Sequence, residues 1–390
     1  MKPVVVVLTS RYPYPLTKGD RLRAYHQIKK IAEYCTVDLI SLCLTEPSDE
    51  QIEELKEIVR SITLYPLSHV SRMMNLCKGL FSRMPFQVRY FYDEKLADMI
   101  QLQISQIKPD VIYTQLIRMA SYVKDYDSDT MMHLDYMDSM VLNDLGKSVF
   151  SGWRKPFIPL ERSRIKRYES DIAPYFDELY TISARDKEHF QAHLRSRVKI
   201  IPNGVDTAYY KPKHSSHVAD LGFSGNLSYA PNVAAAMILK EQILPQLYNR
   251  TCWIAGADLA ESSPLRIESQ NCVVSGYIDD MRELYHGVKI YVAPIYMGSG
   301  IQNKILEAMA CGTICITTTF VNASIQAQPD QEIVIADSNE AFIEQINDLL
   351  SHPQKRQLLA EKARNFVELN YDWDVHNQKL VDSIISSRST

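Results

Sequence analysis

The sequence predicts an α/β protein made of two doubly wound, Rossmann-like domains facing a central cleft. Three observations lead there. The chain has 390 residues, more than one hydrophobic core ordinarily holds, and this points to two domains of roughly 150–200 residues each. Short apolar runs alternate with helical segments from end to end. Those runs are continuously apolar rather than alternating, which is how parallel strands covered on both faces read. The alternation breaks over 202–217, a stretch rich in Pro, Lys, His and Ser, and then restarts.

Taken in order, strands are expected at 4–8, 37–42, 62–65, 111–114, 131–136, 178–182 and 198–201, with helices at 19–34 and 49–60 among them. The second series of strands is expected at 221–223, 252–255, 272–275, 290–293, 314–317 and 333–335. Helices near 231–241, 279–286, 301–311, 338–350 and 354–370 separate them. The expected division is therefore 1–202, 203–371 and a tail at 372–390. In the tail, Leu380, Ile384 and Ile385 mark the apolar face of a helix. The second sheet is complete without that helix, so it is expected to pack back on the first domain. No residue-level repeat links the halves.

Composition excludes several classes. A hydrophobic share of 46% with only 13 Gly and 18 Pro describes a globular chain, not a low-complexity one. A net charge of −4 gives no reason to expect a nucleic-acid partner. The apolar run after Met1 is too short for a secretion signal, and no run approaches the ~18–20 apolar residues of a membrane span. A cytoplasmic protein is expected. None of the seven cysteines forms a Cys-x-x-Cys pair, and Cys35, Cys43, Cys252, Cys272 and Cys315 lie in or beside apolar runs. They read as buried thiols.

The segment most informative about function follows the strand at 290–293. It runs Pro294-Ile295-Tyr296-Met297-Gly298-Ser299-Gly300, then Ile301-Gln302-Asn303-Lys304-Ile305-Leu306-Glu307 in a helix expected to start near Ile301 and to end at Gly312. Glycines before a helix start let a ligand reach the backbone, and the free N–H groups and helix dipole there favour an anion. Lys304 on the first turn adds a point charge suited to a diphosphate. Glu307 shares its helix face. A carboxylate beside a phosphate site repels it, so Glu307 is expected to accept hydrogen bonds from sugar or ribose hydroxyls.

The run 298–312 resembles the donor-site signature of GT-B glycosyltransferases, in particular retaining enzymes of glycosyltransferase family 4. Ile201-Pro202-Asn203-Gly204-Val205-Asp206 resembles that family's domain junction. Phe223-Ser224-Gly225-Asn226 resembles the glycine turn that opens its second domain. Trp253-Ile254-Ala255-Gly256 and Val274-Ser275-Gly276-Tyr277 resemble the strand ends that flank its nucleotide. The resemblance covers about 200–320 by motif and the first half by architecture. It implies a UDP- or GDP-linked sugar donor, a sugar or lipid-linked acceptor, and transfer in cell-surface polysaccharide or glycolipid assembly without a metal or other cofactor. Carried over position by position, it places Gly225, Asn226, Gly256, Tyr277, Ile278, Ser299, Gly300, Ile301, Gln302, Lys304 and Glu307 on the donor. Two features depart from the pattern. Ser299 stands where the family has the first of two glutamates, and the stretch after Gly225 carries no cation. The phosphate charge is thereby shifted onto Lys304 and backbone N–H groups. Tyr277, Ile278 and Asp279-Asp280 are expected to shape the base pocket, with Asp279 also capping the helix after it.

In the first domain the loop after the first strand reads Ser10-Arg11-Tyr12-Pro13-Tyr14-Pro15-Leu16-Thr17-Lys18-Gly19-Asp20-Arg21-Leu22-Arg23. A single glycine there excludes the Gly-x-Gly-x-x-Gly fingerprint of nicotinamide enzymes. Gly19, Arg21 and Arg23 are expected to face phosphate or an anionic acceptor. Asp135 and Asp138, at or near the end of the strand at 131–136, are expected on the acceptor side, with Asp138 the candidate to orient the acceptor hydroxyl or to stabilise charge at the anomeric carbon. Asp127-Ser128-Asp129 precedes its strand and reads as a turn, and no His/Cys/carboxylate cluster has metal-ligand spacing.

Two basic stretches mix cations with large apolar residues. One holds Arg72, Lys78, Arg83 and Arg89 with Met73, Met74, Leu76, Leu80, Phe81 and Phe86. The other holds Arg154, Lys155, Arg162, Arg164, Lys166 and Arg167 with Phe157 and Ile158, and Glu161 as its acid. They are expected to meet an anionic membrane surface, making the protein peripheral on the inner face of the plasma membrane. Two further readings fit the same fold. A nucleotide-sugar epimerase needs acid and base groups on both faces of the sugar. A non-catalytic sugar-nucleotide-binding protein needs no chemistry at all.

Overall fold

Continuous apolar runs cannot leave one face in water, so each becomes a parallel strand with helices on both sides. In the computed structural model the described residues are 2–16, 19–80, 82–126, 129–137, 158–213, 216–261, 263–267, 269–298 and 301–386. They fall into two compact units, Met1–Asn203 with His376–Thr390, and Gly204–Val375.

Among the described residues the first unit carries a parallel seven-stranded sheet in the order β3-β2-β1-β4-β5-β6-β7. Its strands are β1 (Val4–Thr9), β2 (Thr36–Cys43), β3 (Ser61–Pro66), β4 (Val111–Gln115), β5 (Met131–Asp135), β6 (Glu178–Thr181) and β7 (Val198–Ile200). Two apolar clusters cover the sheet's two faces. One includes Val6, Leu8, Ile112 and Leu134. The other includes Val5, Val7, Val111 and Tyr113, and it also takes in Leu380, Val381 and Ile384 from the helix Trp373–Ser386. The tail helix thus packs on the first unit, pinned further where Tyr180 Oη donates to Ser383 Oγ at 2.9 Å.

The second unit carries a parallel six-stranded sheet among the described residues, in the order β10-β9-β8-β11-β12-β13. These are β8 (Ala219–Ser224), β9 (Cys252–Ala255), β10 (Cys272–Gly276), β11 (Val288–Ala293), β12 (Ile314–Thr317) and β13 (Val334–Ile335). The strand order reverses between β8 and β11, which pair in register at Ile290 and Leu221. In an open α/β sheet the loops leaving the carboxyl ends of two such strands part to opposite faces and leave a crevice. The loops in question are the ones that start at Gly225 and at Pro294.

The aperiodic stretch after Asn203 is tied down by hydrogen bonds. Arg364 donates to the carbonyls of Thr207 (3.1 Å) and Tyr210, and His286 Nε2 bonds the Lys211 carbonyl at 2.9 Å, so these residues belong to the second unit. The helix expected near Ile301 begins at Asn303 and ends at Ala310. The structure also adds the helix Glu94–Ile107, whose signals are in the sequence. Asp93 accepts from Lys95 and Leu96 N–H as its N-cap, and Ala97, Ile100 and Ile104 are its buried face.

Candidate functional site

The crevice between β8 and β11 is shaped by backbone crowding. Gly256 N–H donates to the Gly276 carbonyl at 2.6 Å, and Gly225 N–H to the Ala255 carbonyl at 3.1 Å. A Cβ on Gly256 would lie 1.7 Å from the Gly225 carbonyl oxygen, an impossible approach. A Cβ on Gly225 would lie 2.7 Å from Asn232 Nδ2 and 2.9 Å from Lys304 Nζ. Three strand ends therefore lie backbone against backbone, and the absence of side chains brings the Lys304 ammonium up to the Gly225 turn. Asn226 closes that turn. Its Nδ2 donates to Asp258 Oδ2 at 2.7 Å, and its Oδ1 accepts from Ser228 N–H at 2.8 Å. Its side chain is thus engaged in holding the loop, while the loop's backbone remains on the crevice side.

Lys304 is the second residue of the helix Asn303–Ala310, whose N-cap, Gln302, makes no side-chain cap bond. Its Nζ donates to Asn232 Oδ1 and sits 4.9 Å from the Phe223 ring centroid. Burial pulls its pKa down to about 8, against the upward pull of Glu307. Glu307 lies one turn on. Tyr285 Oη donates to its Oε2 at 2.7 Å. Burial raises the Glu307 pKa above its ordinary value, and the Tyr285 hydroxyl and Lys304 draw it back down. A half-buried cation and a half-buried carboxylate thus share one helix face at the end of β11. The pair offers one group for an anion and one for hydroxyl donors. Ile301 is packed against the second unit's core, and Ser299 and Gly300 lie outside the described residues.

The β10 end is open. Gly276 has φ +69°, and a Cβ there would meet nothing within 4 Å. Tyr277 is 70% exposed, while Ile278 packs against the core. Trp253 Nε1 donates to Ser275 Oγ at 2.9 Å on the adjacent strand. The capping expectation for Asp279 is corrected. Its neighbour Asp280 accepts from Arg282 N–H at 3.0 Å and pairs with the Arg282 guanidinium, and Asp279 is exposed.

In the first unit Arg23 and Asp135 form a buried ion pair. Both side chains are fully buried and pair with each other, Nε to Oδ2 at 2.7 Å. Gln27 Nε2 and Tyr113 Oη also donate to Asp135 Oδ2, at 2.9 and 2.7 Å, and Met137 N–H donates to its Oδ1 at 2.8 Å. Burial works against the Asp135 charge, yet Arg23 and the hydrogen bonds outweigh it and hold its pKa below the ordinary value. Arg23 Nη1 donates to Asn203 Oδ1 at 3.0 Å. These two residues, expected to face phosphate or acceptor, thus face each other, while the buried Arg23 Nη2 makes no hydrogen bond among the described residues. Gly19 is the exposed first residue of the helix Gly19–Tyr34, and Arg21 is half-buried on its first turn. Asp138 lies outside the described residues, as do Lys18, Arg154 and Lys155.

Where described, the second basic stretch is helical, and the first runs through the helices His69–Leu80 and Phe86–Phe91 with the exposed Arg83 in the bend between them. Part of their charge is structural. Arg72 Nη1 donates to Tyr90 Oη at 2.7 Å, and Arg164 Nη1 donates to the Gly79 carbonyl at 2.8 Å. Glu161 is buried and accepts from Phe86 and Gln87 N–H at 2.8 and 3.0 Å, which starts the helix Phe86–Phe91. What remains exposed is Val70 (68%), Met73 (43%) and Met74 (56%) on the helix His69–Leu80, with Lys78, and Arg162, Lys166 and Arg167 on the helix Ile158–Ile172. No described helix is long and apolar enough to cross a membrane. The seven cysteines are free thiols, and all but Cys77 are buried.

The partners of Lys304 and Glu307 escape sequence reasoning. Phe223 stands in the sequence only as the start of the glycine-turn motif, and Tyr285 and Asn232 carry no signal of their own. Only the fold brings them to the helix Asn303–Ala310.

Known proteins share this fold. Residues 219–352 match the family model of Glycosyl transferases group 1. An uncharacterized 44.6 kDa protein in the cps region of Klebsiella pneumoniae is 21% identical over 393 residues, covering 94% of this chain and 96% of that one. The Anabaena HepE protein, solved with UDP, superposes with a TM-score of 0.66 at 15% identity, covering 99% of this chain and 100% of that one. A variant of S. aureus TarM, solved with fondaparinux, α-GlcNAc-glycerol and UDP, superposes with a TM-score of 0.67 at 9% identity over 98% of this chain and 100% of that one. The chain as a whole thus has the two-domain GT-B fold of these glycosyltransferase structures. Its second unit carries a group 1 glycosyltransferase domain.

Proposed function

We propose that the protein is a retaining glycosyltransferase that moves a sugar from a UDP- or GDP-linked donor to an acceptor hydroxyl, in the assembly of a cell-surface polysaccharide or glycolipid. The observation that carries this reading is the pairing of Lys304 and Glu307 on one helix face beside the Gly225 turn. Lys304 and the free N–H groups of the helix start take the diphosphate, because charge developing on the leaving group is met there by preorganised donors. Glu307 accepts hydrogen bonds from hydroxyls of the donor sugar or ribose. The open β10 end, with Gly276 and Tyr277, takes the base. In the transfer the anomeric C–O bond to the diphosphate breaks, a C–O bond to the acceptor forms on the same face, and the acceptor proton leaves on the departing phosphate. This reading needs no metal, since Lys304 and backbone amides supply the positive charge. Asp138 and the first unit are assigned to the acceptor.

The test is a thermal-shift screen against UDP- and GDP-sugars in EDTA. One donor raises the melting temperature, and Lys304→Ala abolishes that rise. A full rise in the variant places the phosphate elsewhere. Incubating the donor alone separates transfer from epimerisation, because an epimer formed without acceptor sinks the transferase reading.

A lipid-linked acceptor at an anionic membrane is the finer part of the proposal. It is supported by the exposed Val70, Met73 and Met74 stripe with Lys78 at its end, and by the exposed Arg162, Lys166 and Arg167. Co-sedimentation with phosphatidylglycerol vesicles at low salt is expected, weakened by high salt and lost when Met73→Glu and Met74→Glu are combined. Absence of binding at low salt rejects it.

A further inference from the structure

We infer that Tyr285 is a positioning residue of the donor site, holding Glu307 Oε2 so that Oε1 is the oxygen presented to donor hydroxyls. The inference rests on the reading of Glu307 as the sugar or ribose grip. Tyr285 Oη donates to Oε2 at 2.7 Å, whereas Oε1 makes no hydrogen bond among the described residues. The tyrosine is itself immobilised. It is 1% exposed, with its ring 5.7 Å from Tyr291 and 6.3 Å from Tyr210, both edge-on. Its carbonyl accepts from the buried Thr313 Oγ1 at 2.6 Å. The Ser224 hydroxyl is also within hydrogen-bond reach of this phenol, but a hydroxyl-to-carboxylate bond is the shorter and stronger of the two kinds, so the proton goes to Glu307.

The clamp also governs charge. The groups around the Glu307 carboxylate are Tyr285 on the helix Arg282–Gly287, Tyr291 on β11, Tyr210, and Lys304 and Cys311 on its own helix. Of these, Tyr285 and Lys304 favour the carboxylate form, and burial opposes it. Removing the phenol hydroxyl therefore moves the Glu307 titration upward.

The experiment is Tyr285→Phe, which keeps the ring. Affinity for UDP-glucose and GDP-mannose is measured between about pH 4.5 and 8, with infrared difference spectra of the ligand-free protein reading the Glu307 carboxyl directly, assigned by Glu307→Gln. In Tyr285→Phe the midpoint of the acid-side loss of affinity, and of the carboxyl band, moves up by about one pH unit. In a Glu307→Gln background, adding Tyr285→Phe leaves donor affinity unchanged. Glu307→Asp, which draws the carboxylate back from the phenol, is the second variant and is expected to show the same upward move. Coincident carboxyl titrations in wild type and both variants overturn the proposal. So does an equal loss from Tyr285→Phe with and without Glu307. If Glu307→Gln binds donor like wild type, the assignment of Glu307 falls and takes this inference with it, while the Lys304→Ala result reports separately on the phosphate site.

Discussion

Lys304 joins two requirements that pull against each other. In the proposed role the ammonium must be charged to hold a diphosphate, yet its burial beside Phe223 lowers its pKa to about 8. The sign follows directly. A lysine with a depressed pKa is neutral sooner as pH rises, and a bound phosphate favours the charged form. On the alkaline side, beyond the acid-side loss set by Glu307, donor affinity is therefore expected to hold up to about pH 8 and to fall about tenfold per pH unit above it. A pH series of donor titrations by calorimetry checks this, and flat affinity up to pH 10 contradicts it. The same scale shows how far residue reading goes. Lys304 and Glu307 were legible because their spacing sets them on one helix face. The pairing of Arg23 with Asp135 was not legible because they are 112 positions apart. Nothing in either neighbourhood announces that α/β packing will seal them together at 2.7 Å.

At the scale of elements, the glycine turns do more than bend the chain. Gly256 lies where the end of β9 passes the Gly225 carbonyl, and a methyl group there meets backbone. Gly256→Ala is expected to destabilise by about 3 kcal/mol and lower the melting temperature by roughly 6–12 °C, since backbone cannot rotate away as a side chain can. Gly225→Ala meets the flexible ends of Asn232 and Lys304 instead. It is expected to leave stability closer to wild type but to weaken donor binding by displacing the ammonium. Calorimetric melting with and without donor separates the two, and equal effects from both substitutions contradict the argument. The strands were legible because continuous apolar runs leave little choice. The helix start at Asn303 instead of Ile301 was not, because Ile301 packs inward on the core before the helix begins.

For the whole molecule, the tail helix is the telling segment. Leu380, Val381 and Ile384 are fully buried in the first unit's core, while the helix that carries them begins at Trp373 in the second unit. Losing one such side chain costs about 2–5 kcal/mol, and three approach the roughly 5–15 kcal/mol that holds a domain together. Ending the chain at Val375 is therefore expected to unfold or melt the first unit at much lower temperature while the second keeps its donor-induced thermal shift. Circular dichroism with donor titration reads both, and an unaltered first transition contradicts it.

By itself the sequence determined the α/β class, the two sheets, the return of the tail and the placing of Lys304 and Glu307 on one helix face after a strand. All of these rest on local periodicity or spacing within a few turns of one helix. Tertiary structure decided which charges are available and which are satisfied. It buried Arg23 on Asp135, brought Asn232 and Phe223 around Lys304, and set the Tyr285 hydroxyl on Glu307. Those partners come from separate strands and helices, and only sheet order puts them within a hydrogen bond of each other.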